Sequence, residues 1–194
     1  MKQLTQSDLM SLEEYAKCRD EYRAEAMEYR GLRRVHLGEH VTIHFENRKT
    51  LQYQIQEMLR AEKIFDQEGI EEELAAYNPM VPSGKNLMAT MMIEYIDVEE
   101  RKVALTKLLG IEDKVWIQVA DHEKVYPIAD EELERDNEEK TSAVHVLRFE
   151  FTDDMISDAV SGAHLSMGVE HELYTEALMP MDSERRDVLV ADFD

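Results

Sequence analysis

The chain has 194 residues, which is the usual size of one domain. Acidic residues number 43 against 22 lysines and arginines, so the formal net charge is -21. A surface with this charge repels the phosphates of nucleic acids and the headgroups of anionic membranes, which argues against both as partners. Metal cations and basic proteins are the partners that the charge favours.

The compartment follows from cysteine usage and from the lack of long apolar runs. Cys18 is the single cysteine, so no intramolecular disulfide can form, as is typical of a reducing compartment. The N-terminal residues lack the apolar core of a signal peptide, and no apolar run reaches the length of a membrane span. The sequence therefore predicts a soluble protein of the cytoplasm.

The N-terminal third predicts a helix, a hairpin and a second helix. Ser11 and Glu14 form a capping box that starts a helix, which we expect to run to about Arg30 and to end at Gly31. Asn47 can cap a second helix over residues 48 to about 68. The predicted buried stripe of this helix consists of Leu51, Ile55, Met58, Leu59 and Phe65.

Residues 34–46 predict the hairpin, for which two loops compete. A two-residue Gly38-Glu39 turn mixes polar and apolar residues on each face. A three-residue loop that includes His40 pairs Leu37 with Val41, and it is the loop that we favour. It collects the apolar residues Val35, Leu37, Val41, Ile43 and Phe45 on one face. The opposite face then carries Arg34, His36, Thr42, His44 and Glu46.

The remaining two thirds of the chain mix strands and helices. A loop at 79–85 marks a possible weak subdivision. We expect strands at 87–96, 115–119, 125–129 and 142–151, and one or two strands at 165–179, with 115–129 as a hairpin. We expect helices at 97–110, 153–160 and 183–190, and an acidic surface segment at 130–139. Because these elements do not alternate as βαβ units, the prediction is a single α+β domain over 1–194, with helices packed on a mainly antiparallel sheet.

The outer face of the hairpin is a candidate metal site. His36, His44 and Glu46 share that face, and Glu57 follows on the next helix. Two imidazoles and carboxylate oxygens are suitable ligands for Fe, Mn or Zn. The competing interpretation is a solvated sheet face on which Arg34 pairs with Glu46.

The second helix carries a group of polar residues on one side. Tyr53, Gln56, Glu57 and Arg60 recur at helical spacing, so they share a surface that could line a pocket against Glu94. Tyr53 and Glu57 are therefore candidate acid–base residues. Ordinary salt bridging within the helix and between helix and sheet is the competing interpretation.

His145 is the third candidate, on the apolar face of its predicted strand. Lys140, Thr141 and Ser142 precede it and could donate hydrogen bonds to an anion. The competing interpretation is a core histidine with one hydrogen bond, because a nucleophilic site needs an oriented base that the sequence does not reveal.

Several familiar sites are missing from the sequence. No histidine has a glutamate three positions before it, so the chain is not itself a ferritin-like di-iron bundle. The sequence also contains no HExxH, GxGxxG, GxxxxGK[ST] or GxSxG pattern. Nucleotide-binding and α/β-hydrolase functions therefore have no support.

Three runs of sequence, at 53–60, 92–101 and 140–150, together with 12–15 and the Asn78-Pro79 loop, resemble the bacterial family called domain of unknown function 3501. The resemblance covers nearly the whole chain. Members of that family are often encoded near rubrerythrin and an iron–sulfur oxidoreductase, which implies a role in redox or oxidative-stress metabolism. It also implies a rubrerythrin-like or iron–sulfur protein as a partner.

Two hypotheses of function remain. In the first, the protein is a non-enzymatic accessory that acts through a protein partner and a possible bound metal. In the second, it is a small metalloenzyme in which His36, His44 and Glu46 bind the metal and Glu57 or Tyr53 is the acid–base group.

Overall fold

The structure is a computed structural model that describes residues 2–129 and 140–194. The α-helices are α1 (Leu12–Leu32), α2 (Arg48–Glu62), α3 (Gln67–Tyr77), α4 (Val98–Lys107), α5 (Asp153–Val160) and α6 (Ser183–Val190). The strands are β1 (Arg34–Leu37), β2 (Val41–Glu46), β3 (Asn86–Ile93), β4 (Val115–Val119), β5 (Ile128–Ala129), β6 (Val144–Glu150), β7 (Leu165–His171) and β8 (Tyr174–Leu178). The predicted acidic segment at 130–139 lies outside the described residues.

The strands form two antiparallel sheets, in the orders β1-β2-β3-β6-β5 and β4-β7-β8. This confirms the α+β class, the antiparallel pairing and the helix–hairpin–helix start. The expected hairpin over 115–129 is wrong, because β4 pairs with β7 and β5 pairs with β6. An isolated bridge between Ile117 and Val125 is what joins the two segments. Pro127 explains the change, since it has no N–H to donate to a ladder.

The first hairpin has the predicted three-residue loop. Leu37 lies opposite Val41, and Val35 lies opposite Ile43. These four residues and Phe45 are at most 1% exposed and belong to the main core, which fills the space between the two sheets. The hydroxyl of Tyr174 on β8 donates a hydrogen bond to the Leu37 carbonyl at 2.6 Å, so the hairpin also contacts the second sheet.

Helix α2 is shorter than the sequence predicts. It ends at Glu62, and Lys63 adopts a left-handed conformation with φ of 58°. Asp66 then caps α3 by accepting a hydrogen bond from the Gly69 N–H at 2.9 Å. Phe65 lies in this link and is 80% exposed, so its predicted place in the buried stripe is wrong. The new cap at Asp66 competes locally with continuation of α2.

A second, smaller hydrophobic cluster lies under the helices. Leu51, Ile55 and Leu59 of α2 pack there with Leu4 and Leu74. The loop at 79–85 carries the chain from this cluster into the main core at β3. Because the hairpin before α2 also belongs to the main core, the two clusters alternate along the sequence.

A buried arginine joins the end of α1 to the hairpin and to the C-terminus. Arg33 is 1% exposed, and its guanidinium forms an ion pair with Asp192. It also donates to the backbone carbonyls of Phe45 at 3.0 Å and Val188 at 3.1 Å. The Asn47 side-chain amide donates to the other carboxylate oxygen of Asp192 at 2.9 Å. These bonds satisfy both charges inside the protein.

Replacement of Asp192 by Asn is expected to lower the free energy of unfolding by about 3–5 kcal/mol, because it leaves the Arg33 guanidinium buried without a counter-charge. Urea denaturation measures the change. The control is Asp121→Asn on the exposed turn after β4, which should stay within about 0.5 kcal/mol of the parent. If the two substitutions lower the free energy of unfolding equally, the Arg33–Asp192 ion pair does not stabilise the fold as described.

Candidate functional site

The outer face of the hairpin lies on the side of β1 and β2 away from the core. His36 Nδ1 lies 3.1 Å from the Thr42 hydroxyl, and that hydroxyl donates to the Glu94 carboxylate at 2.5 Å. Because Thr42 gives its one hydrogen to Glu94, His36 Nδ1 is the donor in the first bond. His36 is thus fixed by a hydroxyl that already has an acidic partner.

The two glutamates predicted as metal ligands lie in separate networks. Glu46 is buried and accepts a hydrogen bond from the Thr50 hydroxyl at 2.5 Å. Its carboxylate forms a long ion pair with Arg30, at 3.9 Å, and not with Arg34 as the competing interpretation expected. Glu57 is bound by helix α1. Within residues 2–129 and 140–194, no three His, Cys, Asp or Glu side chains form a group that could hold a metal ion. The structure therefore does not assemble the four predicted ligands.

His44 is half-buried between two arginines. Burial lowers the pKa of its imidazole to about 4, and the positive charges of Arg34 and Arg30 act in the same direction. Glu94 opposes them with a smaller effect. The ring is therefore neutral at pH 7. The positive charges of Arg34 and Arg30 also oppose binding of a metal cation at the His44 ring.

The imidazole of His44 is expected to titrate with a midpoint near pH 4 instead of the ordinary 6.5. Because the folded state binds this proton less tightly than the unfolded chain, the stability contribution is complete above pH 6.5 and is lost as the pH falls towards 4. NMR titration of the ring protons measures the midpoint. A midpoint at or above 6.5 would show that the ring is solvated.

The polar side of α2 packs against α1. Arg19 donates two hydrogen bonds to the Glu57 carboxylate, both at 2.8 Å, and the Tyr15 hydroxyl donates a third at 2.7 Å. Tyr53 is buried, and its ring lies 6.2 Å from that of Tyr22 on α1. The expected pocket against Glu94 is wrong, because this helix side faces α1.

This network determines the protonation state of Glu57. The hydrogen bonds from Arg19, followed by the one from Tyr15, lower the pKa of the Glu57 carboxyl to about 2. Such a carboxylate is a weak base at neutral pH. Joining α1 to α2 therefore explains Glu57 better than acid–base chemistry does.

Glu57→Gln is expected to lower the free energy of unfolding at pH 7 by about 1–3 kcal/mol, because Arg19 loses its charged acceptor. In the parent this stability is present above the ordinary carboxyl pKa of 4.5 and disappears as the pH falls towards 2. The variant should lack that part of the pH dependence in chemical denaturation. Glu28→Gln on the exposed side of α1 is the control. A pH profile unchanged by Glu57→Gln would contradict this account.

His145 is fully buried at the start of β6. Its Nε2 lies 2.9 Å from both the Ser142 carbonyl and the Thr141 hydroxyl, and 3.8 Å from the Glu112 carboxylate. Since a carbonyl can only accept, Nε2 carries the hydrogen. The Thr141 hydroxyl donates to Glu112 at 3.2 Å. His145 therefore lies inside the core in a hydrogen-bond network that exceeds the single bond of the competing interpretation.

A surface groove that the sequence did not predict runs beside α4. One part, of about 530 Å³, lies between α4 and the β7–β8 turn at Leu173. The other part, of about 800 Å³, extends past the stacked rings of His40 and Tyr95, whose centroids are 3.8 Å apart. Tyr95 and Glu100 line both parts, so we describe them as one feature, the α4 groove.

Apolar side chains in the α4 groove are open to solvent. Ile96 is fully exposed, Val103 is 54% exposed and Leu173 is 64% exposed. The sequence predicts Ile96 in a strand, but β3 ends at Ile93, so Ile96 lies outside the sheet. Helix α4 buries Ala104 and leaves the neighbouring Val103 exposed in the groove, which the sequence did not predict.

These features define a two-sheet α+β protein with an apolar surface groove. A family model described as "Protein of unknown function (DUF3501)" matches residues 3–193, and the chain belongs to this family. A crystal structure described as a novel protein of unknown function from Burkholderia pseudomallei K96243 is similar, with 47% identity, a TM-score of 0.94 and coverage of 100% of both chains.

No curated protein matches the chain. In the parts of the chain that the structure describes, no helix combines the length and the apolar character that crossing a membrane requires.

Proposed function

We propose that the protein is a non-enzymatic accessory that binds a protein partner in the α4 groove. The single observation that carries this proposal is the exposure of Ile96, Val103 and Leu173 along the two adjoining parts of the α4 groove. The partner class follows from the family resemblance, which implies a rubrerythrin-like or iron–sulfur protein of cytoplasmic redox metabolism.

Apolar burial supplies the favourable term for such binding. Burial of apolar surface stabilises a complex by about 25 cal/mol per Å² before the entropic costs of association. Exposed apolar residues that are scattered singly need no explanation, but a group that lines one groove is typical of an interaction surface. Binding energy in interfaces also concentrates on a few side chains that fill concave pockets.

The charge at the rim of the α4 groove indicates which kind of partner segment binds there. Its rim carries Glu39, Glu94, Glu99 and Glu100, against Arg101 and Lys107. The chain as a whole has a net charge of -21, which adds to this local excess. A complementary occupant presents apolar side chains to the floor and lysines or arginines to the rim. We therefore propose a basic amphipathic helix of the partner protein.

The middle of the groove is ordered by contacts within the chain. His40 stacks on Tyr95, and its Nδ1 lies 3.0 Å from the Glu94 carbonyl. The His40 backbone N–H donates to the Tyr174 hydroxyl at 3.1 Å. A surface held in this way loses little conformational entropy when a partner binds, which favours affinity.

Val103→Asp is expected to weaken binding of a purified rubrerythrin-like or iron–sulfur protein by roughly tenfold or more, since it places a charge on the apolar floor. Isothermal titration calorimetry at low salt gives the affinity. Val160→Asp is the matched control, because Val160 is 60% exposed at the end of α5 and does not line the groove.

Loss of affinity in Val103→Asp alone supports the proposal, and added salt should weaken binding to the parent protein. Equal affinities of the two variants would place the interface elsewhere on the molecule. Absence of binding by both candidate proteins at low salt would overturn the accessory function.

A further inference from the structure

Two neighbouring basic side chains on the outer face of the hairpin have no partner. Arg34 lies directly opposite His44 in the β1–β2 register. Arg34 Nε and His44 Nδ1 are both buried, and neither has a hydrogen-bond partner in the described parts of the chain. Trp116 Nε1 is the one other side-chain atom in this condition across those residues. Two of the three such atoms therefore belong to one cross-strand pair.

A buried arginine donor without a partner is unusual in a folded protein. Buried polar groups are nearly always hydrogen-bonded, and an unsatisfied donor costs about 1–3 kcal/mol. The sequence supplies 43 acidic residues against 22 basic ones, so a carboxylate partner for Arg34 would be easy to provide. Its absence points to a group from outside the chain.

Arg30, in the last turn of α1, is a third basic side chain near this pair. Its guanidinium makes two long contacts, at 3.5 Å to the Gln54 side-chain oxygen and at 3.9 Å to Glu46. The two nearby carboxylates, Glu46 and Glu94, accept hydrogen bonds at 2.5 Å from the neutral hydroxyls of Thr50 and Thr42, and neither forms a short ion pair with these arginines in the described parts of the chain. The arginines therefore retain the capacity to bind another acceptor.

We propose that Arg30, Arg34 and His44 form a binding site for one anionic group of a small ligand, either a phosphate or a carboxylate. Each guanidinium donates charge-assisted hydrogen bonds to the anion, and the neutral imidazole donates from Nδ1. His44, which the sequence suggested as a ligand of a metal cation, is thereby assigned to a ligand of the opposite charge.

The site lies one cross-strand row from the α4 groove. The row Arg34, His44, Thr90 and Val146 is next to the row His36, Thr42, Met92 and Val144. Met92 and Val144 line the groove. The anion site rests on different residues from the partner surface, so failure of either proposal leaves the other standing.

The test is titration of the intact protein with inorganic phosphate and, separately, with acetate, at a constant ionic strength set with sodium chloride. NMR follows the Arg34 Nε–H and the His44 ring. We expect saturable shifts of both signals with at least one of the two anions. If the shifts saturate with phosphate alone, the ligand carries a phosphate group. If they saturate with acetate, the ligand carries a carboxylate.

Arg34→Met is expected to weaken anion binding by about tenfold, the effect of losing one charge-assisted hydrogen bond. Arg34→Lys keeps the charge but loses the Nε donor, so it should also bind more weakly while its fold is preserved. Arg23→Met, on the exposed side of α1, is the control and should bind as the parent does. Chemical shifts that grow linearly with anion concentration would show only general ionic screening and would overturn the proposal. Shifts of the His44 ring that are equal in the parent and in the Arg34 variants would overturn it too.

Discussion

The buried ion pair between Arg33 and Asp192 joins three parts of the molecule that are far apart in sequence. Helix α1 ends beside it, the hairpin contributes the Phe45 carbonyl, and the C-terminal residues contribute the carboxylate. Burial of both charges is costly unless every donor and acceptor is satisfied. The surrounding carbonyls and the Asn47 amide meet that condition and fix how α1 enters the hairpin.

The inward direction of the Arg33 side chain determines on which face of the hairpin the next side chains lie. Consecutive residues of a strand point to opposite faces, so an inward Arg33 and a core Val35 place Arg34 on the outer face, beside His44. The two arginines of one short segment thus have different roles. Arg33 stabilises the fold through a complete set of partners, whereas Arg34 keeps a buried Nε donor without a partner on the face that we propose as the anion site.

Local signals in the sequence predicted local structure well. The Ser11–Glu14 capping box starts α1, and the apolar pattern of residues 35–45 selected the correct hairpin loop. The pairing of Arg33 with Asp192 could not be predicted in this way, because it spans 159 positions. The candidate site failed for a related reason: helix periodicity placed Glu57 on a polar side but could not show that α1, with Arg19, covers that side.

The central claim is that the α4 groove binds a basic amphipathic helix. Its most direct test is methyl NMR of the intact protein during titration with a synthetic Leu/Lys amphipathic helical peptide. The account predicts saturable shifts confined to Ile96, Val103, Leu173 and neighbouring methyl groups, with the methyl groups of Val160 on α5 unchanged. Shifts spread evenly over the acidic surface, or absent from these three residues, would contradict it.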